Sequence, residues 1–120
     1  MERFLLAAAS LSIMLGFGHV IYGELRFLPP YLKSGIVVEV DAKRTAEILR
    51  LAWHVWAIAY FAIGGIVLSW AVTEKPDVGA MWSFIALFWG AMLTSLVITK
   101  GRHISWVVWL VMGALLFFGL

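Results

Sequence analysis

Apolar positions in this chain fall into four long runs, with the polar residues pushed into the gaps between them. The runs cover about residues 4–23, 48–72, 80–99 and 104–120. A helix needs roughly 20 mostly apolar residues to cross the hydrocarbon core of a bilayer. The first run contains no charged residue, and the second has Arg50 at its start. The fourth is short but within the spanning range. Strands of a membrane barrel would alternate polar and apolar residues, and these runs do not. The pattern predicts an all-α fold, a four-transmembrane-helix bundle. It forms a single integral membrane domain over residues 1–120, with helices at about 4–23, 42–72, 80–99 and 104–120.

The gaps are unequal. "TEKPDVG" (73–79) predicts a tight turn with Pro76 and Gly79 as breakers, and "KGRH" (100–103) predicts another. The first gap, residues 24–41, is the longest loop. Its "LPPYL" is incompatible with a regular helix, because Pro30 lacks an N–H and restricts Pro29 before it. "GIVVEV" has the composition of a strand with no partner strand in view. Asp41 fits an N-cap, so the second helix is expected to begin at Ala42, ahead of its apolar part. The opening "MERFLLAAASLSIMLGFG" shares features with a secretory signal. No A-x-A cleavage site follows its apolar stretch, and it is expected to be an uncleaved first helix.

Composition strengthens the membrane reading. The chain is 63% hydrophobic and 13% charged, against about half and about a quarter in average soluble domains. A water-soluble chain this short could not bury so much apolar surface in one core. There is no cysteine, which excludes disulfides, thiolate metal sites and a cysteine nucleophile. A net charge of +2 is too small to argue for nucleic acid. With four spans, Arg26, Lys33, Lys43, Arg44, Arg50, Lys100 and Arg102 fall on one side of the membrane, and only Arg3 and Lys75 on the other. The positive-inside rule then makes loops 24–47 and 100–103 cytoplasmic and places both termini outside.

The same topology gathers the three histidines at the cytoplasmic side. His19 lies near the end of the first helix, His54 near the start of the second, and His103 in the last connection. In the first helix Ser12, Gly16, His19 and Gly23 recur at helical spacing and share a face. In the second, Glu47, Arg50, His54, Ala57, Phe61 and Gly65 do the same. Small residues let membrane helices approach closely, so these faces are expected to meet with His19 and His54 inside. The third helix carries its own small stripe, Ala86, Gly90 and Thr94. Ionisable groups within a membrane pair or function. Glu24, Glu47, Arg50 and His103 form the candidate polar cluster around the two histidines. The structural reading is that the histidines hydrogen-bond to each other, to Tyr22, to Glu24 or to water. The tryptophans, Trp53 among them, mostly suit the interfacial belt.

Three functional readings follow. The first is a small accessory or interaction subunit of the cytoplasmic membrane, joined to a larger complex or to copies of itself. The second is a single b-type haem electron-transfer protein, with His19 and His54 as axial ligands on facing helices and glycines leaving room for the porphyrin. The third is a small transporter acting as a dimer, although the central thirds of all four helices carry no Asp, Glu, Lys or Arg. His19, His54, His103 and Glu24 also have the ligand types of a divalent-metal site, but no tight ligand motif such as H-x-x-x-H is present. No catalytic residues stand out: G-x-S-x-G, a Gly-rich phosphate loop and H-E-x-x-H are all absent.

"GFGHVIYGE" and "LRLAWHVWAIAYF" together carry a His-x-x-x-Gly-Glu ending and an Arg-x-Ala-Trp-His opening. The pattern resembles one in small uncharacterised bacterial four-helix integral membrane proteins. His19, Gly23, Glu24, Arg50, Ala52, Trp53 and His54 occupy the matching positions, within the first 60 or so residues. The resemblance implies a four-helix membrane protein and brings no activity with it.

Overall fold

The computed structural model describes residues 2–34 and 41–120. The strand-like "GIVVEV" segment and Glu39 lie outside the described residues. All the described elements are helical. Helix α1 spans Glu2–Tyr22, continues through a π-helical turn at Gly23–Phe27, and resumes as α2 over Leu28–Lys33. Helix α3 spans Ala42–Thr73, α4 spans Val78–Thr99 and α5 spans Ser105–Phe118. Three helical stretches are long and apolar enough to cross a membrane: Glu2–Lys33, Ala42–Thr73 and Val78–Thr99. The fourth, α5, is a shorter apolar helix of 14 residues, about 21 Å long.

The expected loop at residues 24–41 is therefore largely helical. Each proline ring would press on the carbonyl four residues back, at Leu25 and Arg26, in a regular α-helix. The chain avoids this by widening its turn. Leu28 N–H bonds to the Gly23 carbonyl, five residues back rather than four. Pro29 and Pro30 then fall in the first turn of α2, where backbone N–H groups have no intrahelical acceptor. "LPPYL" itself is thus α-helical, within α2, and the irregularity falls in the turn before it.

Caps set the other boundaries. Asp41 Oδ1 accepts from Arg44 N–H at 2.8 Å, and α3 begins at Ala42 as expected. Helix α3 ends with Glu74 in the left-handed region (φ 55°). Asp77, in an extended conformation, accepts from Ala80 N–H at 2.9 Å and starts α4 at Val78. Gly79 is thus inside α4 rather than a breaker. Lys100 (φ 52°) and Gly101 (φ 73°) turn the chain after α4.

The chain packs as two units. Residues Ser12–Ile63 form a hairpin unit from the later part of α1, the π turn, α2 and the first part of α3. Its antiparallel pairing is fixed by contacts from Ser12 to Tyr60 and from Glu24 to His54. The second unit joins the chain up to Leu11 with Gly64–Leu120. Its core is built from Leu5, Ala8, Val67, Met81, Ile85, Phe88, Met112 and Leu116, all buried. Gly113 of α5 lies directly against the Trp89 indole of α4, where any Cβ would collide.

Candidate functional site

The charged end of the hairpin unit carries the polar groups singled out above. Small residues on α1 bring the helices close enough for them to meet. Ser12 is buried and its hydroxyl donates to the Tyr60 carbonyl at 2.7 Å. At Gly16, a Cβ would stand 2.7 Å from Cε1 of Phe61. At Gly23, a Cβ would land on the Trp53 indole. The face predicted on α1 is thus the face that meets α3.

Trp53 is the centre of this contact. Its indole N–H donates to the His19 carbonyl at 2.7 Å. In an uninterrupted α-helix that carbonyl would serve the N–H of Gly23, the first residue of the π turn. The His19 imidazole stacks on one face of the indole, with centroids 4.0 Å apart and planes 8° from parallel. Phe27 stacks at 4.2 Å and 21°. Two rings this close and this parallel to one indole occupy its opposite faces. Tyr60 meets His19 edge-on at 5.7 Å, and Nε2 of His19 is buried with no hydrogen-bond partner among the described residues.

Glu24, the second residue of the π turn, closes the site. Its Oε1 accepts from Nε2 of His54 at 2.9 Å and lies 3.6 Å from Nε of Arg50. The three side chains are half-exposed, at 38%, 35% and 54% for Glu24, His54 and Arg50. Arg50 and His54 stand one helical turn apart on α3, so one carboxylate reaches both. At this exposure the ion pair contributes about 1 kcal/mol or less.

The structure brings together Glu24, Arg50 and His54, with His19 beside them on the far side of Trp53's contact. It does not bring in Glu47, which is exposed on α3. His103 belongs to the other unit. Its Nδ1 lies 2.8 Å from Ser105 Oγ and accepts the Ser105 N–H at 3.2 Å. Among the described residues no group of three or more His, Cys, Asp or Glu is arranged to hold a metal ion, so His19, His54, His103 and Glu24 do not converge as a ligand set. In the haem reading His19 and His54 would each offer a ring nitrogen to iron. Glu24 holds the His54 nitrogen that would bind iron, and Trp53 covers a face of His19.

Of the six residues predicted to share a face on α3, Arg50 and His54 meet Glu24 and Phe61 lies against Gly16, while Glu47 and Gly65 are exposed. Only Ala57 of the six is buried, and a Cβ at Gly65 would meet nothing within 4 Å. Besides Thr45 in the first turn, the buried positions are Ala57, Tyr60, Gly64, Val67 and Ala71, which continue the spacing of Trp53 by fours and threes. This alternation was readable in the sequence. Trp53 was missed because tryptophan was assigned to the interfacial belt by type. Searches against family models, curated proteins and solved structures give no match to this chain.

Proposed function

We propose that this chain is a small multi-pass protein of a bacterial cytoplasmic membrane that works by lateral association, as an accessory subunit or as a homo-oligomer. The observation that carries this reading is the outer face of α4. Gly79, Ser83, Ala86, Gly90 and Thr94 recur at helical spacing along it, and all are exposed. A Cβ at Gly90 would meet nothing within 4 Å. Between membrane helices there is no hydrophobic driving force, and close van der Waals approach through small residues takes its place. A small-residue face left open by its own chain is suited to a helix from another.

The hairpin site supports the same reading. Most of its polar groups are spent on each other: Glu24 on His54 and Arg50, and Trp53 on the His19 carbonyl, with Nε2 of His19 the exception. This is how a chain fixes helices at a membrane boundary, and it explains the His-x-x-x-Gly-Glu and Arg-x-Ala-Trp-His pattern as a packing signature. The reading includes α5 as a fourth crossing, with both termini outside.

The chain has no cysteine, so single introduced cysteines report contacts cleanly. Gly90→Cys, oxidised in native membranes, is expected to cross-link to a second copy or to a heavier partner. Ile58→Cys, at an exposed position of α3, is the control. Cross-linking at residue 90 no stronger than at residue 58 would overturn the association reading.

A further inference from the structure

The turn between α4 and α5 takes no part in the hairpin site, and its backbone is spent on itself. The N–H groups of Lys100, Gly101 and Arg102 donate to the carbonyls of Val97, Leu96 and Thr99 at 3.4, 3.1 and 3.1 Å. The Trp106 indole folds back and donates to the Gly101 carbonyl at 3.3 Å. Nδ1 of His103 lies 2.8 Å from Ser105 Oγ. What is left over is the exposed side chains of Lys100 and Arg102. Neither has a carboxylate partner among the described residues. The acids of this unit are Glu2, Glu74 and Asp77. The last two precede α4, whose 22 residues set them about 33 Å from the turn. Glu2 lies by the far end of α5, where Phe4 meets Phe118 and Leu5 lies against Gly119.

We propose that this turn binds an anionic phospholipid, with Lys100 and Arg102 holding its phosphate and its chains lying against Val97, Ile98 and Ile104. These three are exposed apolar residues on either side of the two cations. A phospholipid offers both complements in one molecule, a phosphodiester for the cations and hydrocarbon for the residues beside them. A soluble acidic partner would match the charges and leave the apolar residues uncovered. Helix α4 is long and apolar enough to cross the membrane, so its end stands at the level of the headgroups. Tryptophan is enriched at that level, and anionic lipids attract lysine and arginine there. Lys100 also occupies the left-handed region, at φ 52°, which glycine adopts freely and a residue with a Cβ resists. The backbone alone would favour glycine at that position. The inference needs only that α4 spans, and is independent of what associates with its outer face.

The test uses the full chain in phosphatidylcholine vesicles, with Ile98→Cys carrying a fluorophore and brominated lipids as quenchers. Brominated phosphatidylglycerol should be preferred over brominated phosphatidylcholine at residue 98, by about fivefold for each cation and roughly 25-fold for the pair. A fluorophore at Val72→Cys, exposed on α3, should show no such preference. Lys100→Gln with Arg102→Gln should abolish the preference at residue 98. Lys100→Gly suits the left-handed backbone, so a fall of about fivefold in that variant reports the lost cation and not a lost turn. Equal quenching by the two lipids in the otherwise unmodified chain would overturn the proposal. A preference that survives the double variant would assign it to other cations and overturn it too. So would loss of the preference to inorganic phosphate at matched ionic strength, which would make the ligand a free phosphate. Shielding of residue 98 from both lipids would place a protein over the turn and have the same effect.

Discussion

At the scale of single residues, Gly23 makes the sharpest demand. Alanine in place of glycine inside a helix ordinarily gains about 1 kcal/mol. At Gly23 the added methyl would fall on the Trp53 indole, itself held between His19 and Phe27. Overpacking of this kind costs about 1–3 kcal/mol. Gly18→Ala has open space around it and should be neutral or stabilising. Thermal unfolding in detergent of Gly23→Ala beside Gly18→Ala checks this. If the two behave alike, Trp53 does not lie against Gly23. Part of this site was legible beforehand: the spacing of Ser12, Gly16, His19 and Gly23 marked the contact face, and Glu24 was one of the partners considered for the histidines. What spacing cannot supply is which aromatic ring fills the space that a glycine leaves.

At the scale of elements, local chemistry decided most boundaries, and it fails where two local rules compete. Asp41 was readable as a cap because nothing nearby contradicted it. Asp77 was overlooked because Pro76 and Gly79 on either side both signal a turn, yet its carboxylate accepts from Ala80 N–H and starts α4. Asp77→Ala should lower stability by about 1 kcal/mol, and Asp77→Ser should keep most of it. Chemical unfolding of the two variants separates loss of the cap from loss of charge. The Pro29–Pro30 pair shows the same competition with a different outcome. Prolines end helices when the turn before them stays α-helical. Here the π turn moves the crowded carbonyls aside, and Trp53 accommodates the distortion by donating to the His19 carbonyl. That compensation comes from residues about 30 positions away, so no local reading of "LPPYL" contains it.

At the scale of the whole molecule, the number of crossings turns on α5. Three helical stretches have the length to span, the first two with 32 residues each and α4 with 22. Helix α5 has 14 residues, and its roughly 21 Å falls short of a hydrocarbon core of about 30 Å. Apolar residues at both of its ends, Ile104 and Leu120, extend it. A short span is accommodated by local thinning of the bilayer at a modest cost. The charge distribution does not decide the point, since all nine basic residues precede Ile104 and the seven-against-two segregation is the same whether α5 crosses or turns back. The cysteine-free background allows a direct check. Single cysteines at Lys33, Lys75, Arg102 and Leu120 are probed with a membrane-impermeant maleimide in intact cells. Lys75→Cys and Leu120→Cys should label together, and Lys33→Cys and Arg102→Cys only after permeabilisation. If Leu120→Cys instead follows Arg102→Cys, α5 turns back on the cytoplasmic side and the chain crosses three times. If Lys33→Cys and Arg102→Cys label first, the positive-inside assignment is reversed. That result would point to insertion directed by a partner subunit, because the chain's own charges would then have been overridden.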